Sequence, residues 1–565
     1  MEPRTSQGMI LALCVLVTGV ALAGAARGAG VRRRSRDVST TQGLVRGYRH
    51  PDPPHYQYLG IPYAAPPTGE DRFKSPQPPP SWDGIFEATH RVACPQDVSP
   101  DQSRDRSAPR VDENCLVLNI FAPDLEGTLP VVVHLHDGGF TSGWGSLEAP
   151  ARLLRQGVVV VTLNYRLGAL GFLCVGAAGA GAGAGAGNAG LKDQVAALYW
   201  LQRNILLFRG NPDDVTLHGT GAGAAAAQLL LLAPATAALY HKAILESGSA
   251  LSPLSLVYNP VATAVEVAAS LGFEGGKSMT ELVEFYQSIP YRELLNYSKS
   301  FRPCIEDSLY LYSLIENDPR EALLSSPIVD VPVLFLHTNQ EVLSLVHEVP
   351  QEWFEKPDPY VNELLPGNLE IENEDTLYKV LETAIQVYFT KKPDSRYVQQ
   401  YVNLYSDTYI VYPLVKSALL HAARSSHLVY LMQFSYEGNL SNHKSEPLPG
   451  ASHGDIMNYV FSRENLPNVN DETVANQLVY LWINFIKFGD PTPLLSSTVP
   501  LIWQPVQVSM DIDGSKVIAA TQSLVVDANM KLSLQTPYAK LEFWEKIYRV
   551  FYKKHISLAD DAGKT

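Results

Sequence analysis

The stretch at residues 215–232, VTLHGTGAGAAAAQLLLL, has the layout for presenting a side chain but carries none at its apex. An apolar, β-branched strand enters a glycine-rich turn and an alanine-leucine helix leaves it. This is the strand-turn-helix arrangement that exposes a nucleophile in the pattern G-x-S-x-G. Here the five positions are Gly219, Thr220, Gly221, Ala222 and Gly223. Gly221 has no oxygen to attack with, so no covalent intermediate can form on it. Thr220 stands one residue early on a sharp turn, and its side chain leaves in another direction. Glycine is also the residue such a turn accepts most easily. A residue with Cβ is held there at a cost of about 1–3 kcal/mol, whereas glycine visits such conformations freely.

Cysteines and sequons indicate where the chain works. Cys14 lies in an apolar run at 9–26, MILALCVLVTGVALAGAA, with Arg4 before it and an Ala-Leu-Ala step ending at Ala23. Residues 1–23 read as a secretory signal peptide; the alternative is an uncleaved anchor, since the run is about as long as the shortest spanning helix. Residues 24–36 form a basic linker, and the RRRSR within it is either solvated chain or a processing site. Cys94 and Cys115 flank a polar loop, a spacing that suits one disulfide in a secreted protein. Cys174 and Cys304 have no obvious mates and read as buried free thiols. Asn296-Tyr297-Ser298 and Asn439-Leu440-Ser441 are glycosylation sequons. No His/Cys cluster has metal spacing, and no cofactor is implied. The net charge of -14 argues against nucleic acid, whose recognition needs basic surface.

The elements around the turn alternate. Residues 129–136 and 157–165 are β-branched runs of the kind buried on both faces of a parallel sheet. Residues 191–208 have helical spacing, with Val195, Leu198, Leu201 and Ile205 on one stripe. Further strands are expected at KAILES, 331–338 and 427–436, and helices at 375–389, 472–488 and 538–554. One domain from about residue 37 to 554 is expected, with a short tail at 555–565. The glycine-alanine tract at 176–190 reads as a loop. Nothing after Gly489 is apolar enough to span a membrane.

Several motifs occur together in order: YLGIPYAAPPTGEDRF, DENCLVLNIF, HDGGF, NYRLGALGFL, GNAGLKDQVAALYWLQRNI, GNPDDVTLHGTGAG, AILESGS and GASHGDIMNYVF. With them the chain resembles the type-B carboxylesterases and cholinesterases over nearly everything after the signal peptide. The resemblance implies the α/β-hydrolase fold, a large, mostly parallel twisted sheet with helices on both faces. It implies that His453 fills the catalytic histidine position and Glu341 the acid that orients it, although Gln340 and Val342 replace that acid's usual neighbours. Gly221 fills the position of the missing serine. Gly138, Gly139 and Ala222 match the oxyanion-hole amides, with Asp137 replacing the first glycine of the turn. That carboxylate either faces the developing charge or points outward. Ser247 and Asp407 match supporting positions, and Arg72 with Glu113 matches a buried ion pair. One of the further disulfides frequent in such proteins has no cysteine here, its position being Leu541.

Loss of the nucleophile costs about six orders of magnitude in turnover in well-studied triads. The glycine apex is similar to that of the neuroligins, which share this domain without catalysis. The expectation is a secreted, non-catalytic protein that binds an extracellular protein partner, with a homodimer through the C-terminal helices as a further implication of the resemblance. Two alternatives stand beside it. One is an ester hydrolase of weak or atypical activity; the other is a carrier of an apolar ligand, with Phe140 and Trp144 near the mouth of its cavity.

Overall fold

The computed structural model describes residues 34–97, 108–146, 148–176, 187–275, 278–307, 313–344, 365–389, 397–442, 448–462, 465–510, 517–519, 521–535 and 539–555. The apolar run at 9–26, nearly all of the basic linker, most of the glycine-alanine tract and the tail beyond 555 lie outside the described residues. No helix among the described residues is long and apolar enough to cross a membrane.

The described residues are organised around a 13-stranded sheet, beside two small two-stranded ones. It begins with β1 (Ser35–Ser39), β2 (Leu44–Pro51), β3 (Pro54–Pro62) and β4 (Val117–Pro123), joined in antiparallel register. Its centre is β5 (Leu129–Leu135), β6 (Val159–Leu163), β7 (Gly210–Thr220), β8 (Lys242–Glu246), β9 (Val333–Thr338), β10 (Val429–Phe434) and β11 (Thr521–Val526). In space these run β6-β5-β7-β8-β9-β10-β11, every neighbouring pair parallel. An antiparallel strand, β12 (Lys531–Gln535), closes the far edge. The expected parallel centre is present. The antiparallel margin at β1–β4 was not anticipated; β1 and β2 carry the mixed polar pattern of a half-exposed sheet, while β4 is buried throughout.

Alternation within the central strands explains their uniform apolarity. In β5, Val131, Val133 and Leu135 enter one core while Val132 enters the other. In β9, Val333 and Phe335 face the first core and Leu334 and Leu336 the second. Helices cover both faces, so neither half of the alternation can be polar. On the first face lie α1 (Ala189–Asn204) and α2 (Ala222–Leu231), followed by α3 (Glu374–Tyr388) and α4 (Tyr412–Ala422). Beyond β10 come α5 (Asp455–Val460) and α6 (Val469–Phe488), which build the second core around the buried Trp482, and then α7 (Ala539–Phe551).

Small residues on α2 let it approach the sheet closely: a Cβ on Gly223 would lie 2.2 Å from the Leu135 carbonyl oxygen. At the start of α1, Arg166 makes a two-pronged ion pair with Asp193, at 2.7 and 2.6 Å, with both side chains buried. Such fork geometry is among the stronger forms of ion pairing.

Two disulfides are present among the described residues. Cys94–Cys115 closes the polar loop as expected. Nearby, Arg72 pairs with Glu113 at 2.8 and 3.1 Å and donates to the carbonyls of Gln287 and Ile289. Cys174 and Cys304 are not free thiols; they form the second bond, across a separation of 130 residues. The expectation failed because no local spacing signals so distant a pairing. The buried contacts of Asn188 with Cys304 and Glu306, and of Lys192 with Glu306, bring the two segments together.

Candidate active site

The site lies beyond the carboxyl ends of the parallel strands, where an open α/β sheet leaves room for ligands. Asp137 follows β5, Gly221 joins β7 to α2, Glu341 follows β9 and His453 precedes α5. Three strand ends and the segment before α5 therefore deliver four residues to one place.

The turn at Gly221 is sharp. Its φ of 53° and ψ of -118° fall where residues with Cβ are strained. The turn is fastened by its amide, which donates to the Glu246 carbonyl at 2.8 Å. Glycine is also required for space, because a Cβ there would fall 2.2 Å from Asp137 Oδ1 and 2.3 Å from Asp137 Cγ. The carboxylate of Asp137 thus fills the volume of the absent side chain.

Asp137 is tied on every side. Its Oδ2 accepts from His453 Nε2 at 2.9 Å, and its Oδ1 accepts from the Ala222 amide at 2.8 Å. The Gly138 amide also stabilises the carboxylate. Ala222 begins α2, whose unpaired amides and dipole favour a negative charge. Two of the three amides expected to form an anion hole therefore already face an anion. Gly139, the third, is exposed beside them. The loop is braced from below: His136 stacks on Tyr165 with centroids 4.3 Å apart, and Tyr165 donates to the His136 carbonyl.

His453 is held from its other nitrogen as well. Nδ1 lies 2.8 Å from Glu341 Oε2, and Glu341 also accepts from Ser247 Oγ and the Thr338 amide. The altered neighbours of Glu341 have found other partners: Gln340 bonds Ala451 and Asn403, and the Val342 amide bonds Ser406. Glu341 consequently still turns inward and is buried.

The electrostatics follow from this geometry. Burial by itself lowers the basicity of His453, but the hydrogen bonds and charges of Asp137 and Glu341 dominate and raise its pKa well above the usual imidazole value. Burial pushes the Asp137 carboxyl up, yet the bond and charge of His453 and the two amides bring it below its ordinary value. Glu341 is lowered in the same way, His453 again outweighing burial. The resting site is an imidazolium between two carboxylates. Such a group is a proton donor; it cannot take a proton from a nucleophile.

Other expected residues stand apart. Asp407 accepts from Tyr388 and, being buried, is pushed up to about 6. Phe140 is core, packed edge-on against Phe172. Asn296 and Asn439 are both exposed. Sequence reasoning did not anticipate Glu246, buried behind the site 3.7 Å from His218 Nε2 and pushed up to about 8 by burial. Its only sequence signal is an acid at the end of an otherwise apolar strand.

A model of the carboxylesterase family matches residues 34–534. The chain belongs to that family. Among carboxylesterase relatives, it is 33% identical to esterase FE4 of Myzus persicae, with 80% of this chain and 83% of the other aligned. It is 30% identical to neuroligin-3 of Mus musculus, over 92% of this chain and 69% of that one. The crystal structure of juvenile hormone esterase from Manduca sexta, with OTFP covalently attached, superposes with a TM-score of 0.77 at 26% identity. That match covers 91% of this chain and all of the esterase. The carboxylesterase frame of the present chain is thus shared with both esterases and neuroligins.

Proposed function

We propose that this member of the carboxylesterase family does not hydrolyse carboxylic esters and acts outside the cell by binding a protein partner. The observation that carries the reading is the Asp137 carboxylate. It fills the space of a side chain at Gly221, occupies the Ala222 amide and holds His453 as an imidazolium. An ester reaching this site meets no nucleophile, a blocked anion hole and a base that already carries its proton. In this reading residues 1–23 are a signal peptide, residues 37–554 form the folded domain, and Asn296 and Asn439 are glycosylated. The likeness to neuroligin-3 supports recognition as the role. A homodimer through the C-terminal helices is favoured by the exposed Tyr378 on α3 and Val550 on α7, two helices joined by the Trp544–Tyr388 hydrogen bond.

Two measurements test this. Steady turnover of a p-nitrophenyl ester, abolished by His453→Ala, overturns the non-hydrolytic half. A pull-down from extracellular fluid at micromolar concentration that returns no specific partner overturns the binding half.

A further inference from the structure

Successive side chains of a strand point to opposite faces, so His55, Gln57 and Leu59 of β3 share one. Leu59 enters the second core, and His55 packs against Phe121 with ring centroids 6.3 Å apart. Gln57 instead lines a cleft of about 510 Å³ between the β2–β3 hairpin and the short helix Ala151–Arg155. None of Asp137, Gly221, Glu341 and His453 lines it. Gln57 is 9% exposed, and its side-chain amide has no hydrogen-bond partner among the described residues. Buried amides are nearly always hydrogen-bonded. A ligand group that reaches this one gains a bond that nothing in the described fold supplies.

Two arginines line the same cleft. Arg155 is answered by Asp52 at 2.8 Å. Arg91 is partly exposed and has no ion-pair or hydrogen-bond partner for its guanidinium among the described residues. The backbone around it is fixed: its carbonyl accepts from the Arg110 amide at 3.1 Å, and that of Val92 accepts from Asn164 Nδ2 at 2.8 Å. A free guanidinium on a fixed backbone is a two-pronged receptor for a carboxylate. Asp52 and Glu148 add acceptors to the walls, and the Gln57 amide both donates and accepts. The apolar share is Pro53, Ala149 and Ala151, with no large aliphatic side chain. A peptide side chain finds no apolar socket there, whereas a hydroxyl-rich ring with one carboxylate meets a partner on each side.

We propose that this cleft binds a sugar acid at the end of a glycan. Its carboxylate lies on Arg91, a hydroxyl or acetamido group bonds Gln57, and further hydroxyls donate to Asp52 and Glu148. Sialic and uronic acids share this chemistry. The inference goes beyond the function proposed above. A free sugar tests it without any protein partner, so either can fail while the other stands.

The full chain is titrated in saturation-transfer NMR with four probes: the methyl α-glycoside of N-acetylneuraminic acid, methyl β-D-glucuronide, methyl β-D-galactoside and the dipeptide Ala-Ala. The expected result is saturable binding of one or both acids at millimolar concentration, and which of them binds identifies the source. Arg91→Ala should weaken that binding by about 10-fold or more, and Gln57→Leu by about 5-fold, the scales of charged and neutral hydrogen bonds. Circular dichroism checks the fold of both variants. Arg91, being partly exposed, carries the test if the Gln57 variant is unstable. Four results would each overturn the proposal: neither acid binds, the neutral galactoside binds as well as the acids, the dipeptide binds more tightly than they do, or Arg91→Ala leaves the affinity unchanged.

Discussion

Asp137 and Gly221, from two neighbouring strands, share one side-chain volume: a Cβ added to Gly221 falls 2.2 Å from Asp137 Oδ1. A serine at 221 therefore competes with the carboxylate for the same place. The wild type is expected to resist a serine-reactive fluorophosphonate probe. Gly221→Ser should label slowly, since Asp137 blocks the anion hole. Gly221→Ser with Asp137→Gly should label about 10²-fold faster, the scale on which anion-hole contacts act. Equal rates in the single and double variants would show that Asp137 does not obstruct.

The ion triad makes stability depend on pH with a definite sign. Asp137 and Glu341 have lowered pKa values. Their contribution is present above their unfolded values of about 4 and is lost as pH falls through the folded ones. His453 has a raised pKa. Its contribution is complete below its unfolded value of about 6.5 and is lost as pH rises through the folded one. Thermal unfolding should therefore show greatest triad stabilisation at about pH 4.5–6.5. The gap between wild type and His453→Gln should narrow on both sides of that window. A gap that widens towards alkaline pH contradicts the assignment of an imidazolium.

Much of this was legible beforehand for a physical reason. Strands β5 to β9 are buried on both faces, so their apolar runs advertise the parallel centre. Most of the site residues follow those strands within recognisable motifs, and the structure brings His453, Glu341, Ser247 and Ala222 together around Asp137. The aim of Asp137 was not legible, because a side chain's direction depends on which neighbouring volume is empty. A hint lay in the joint change: Gly221 lacks a side chain where the turn beside it gains one. The Cys174–Cys304 bond was hidden for a different reason. Its halves meet only after α1 and the segment ending at Cys304 have packed together.

Glu246 provides a second pH effect, of opposite origin. It is buried 3.7 Å from His218 Nε2 and pushed up to about 8. The favourable neutral form is present in full below its unfolded value of about 4.5 and is lost as pH rises through about 8. Glu246→Gln, which stays neutral, should gain melting temperature relative to the wild type at pH 8.5 and show little gain at pH 4.5. An equal difference at the two pH values would mean that Glu246 is ionised throughout.

The two disulfides should differ in weight. Chain-entropy reasoning gives about 3 kcal/mol for closing the shorter loop and about 4–5 kcal/mol for the longer one. The separations are 21 and 130 residues. Chemical denaturation of Cys174→Ser/Cys304→Ser should show the larger loss, and a non-reducing peptide map should recover both linked pairs. Recovery of alkylated Cys174 from unreduced protein would contradict the second bond.

The shared volume at the turn also works as a ratchet. A serine placed at position 221 alone meets an occupied site and a strained backbone. A glycine placed at position 137 alone leaves a void beside a histidine that has lost one of its two counter-charges. Each lone exchange is sterically or electrostatically unfavourable, and only the paired change relieves both. The two positions are thus coupled by sterics, and neither can be exchanged without the other.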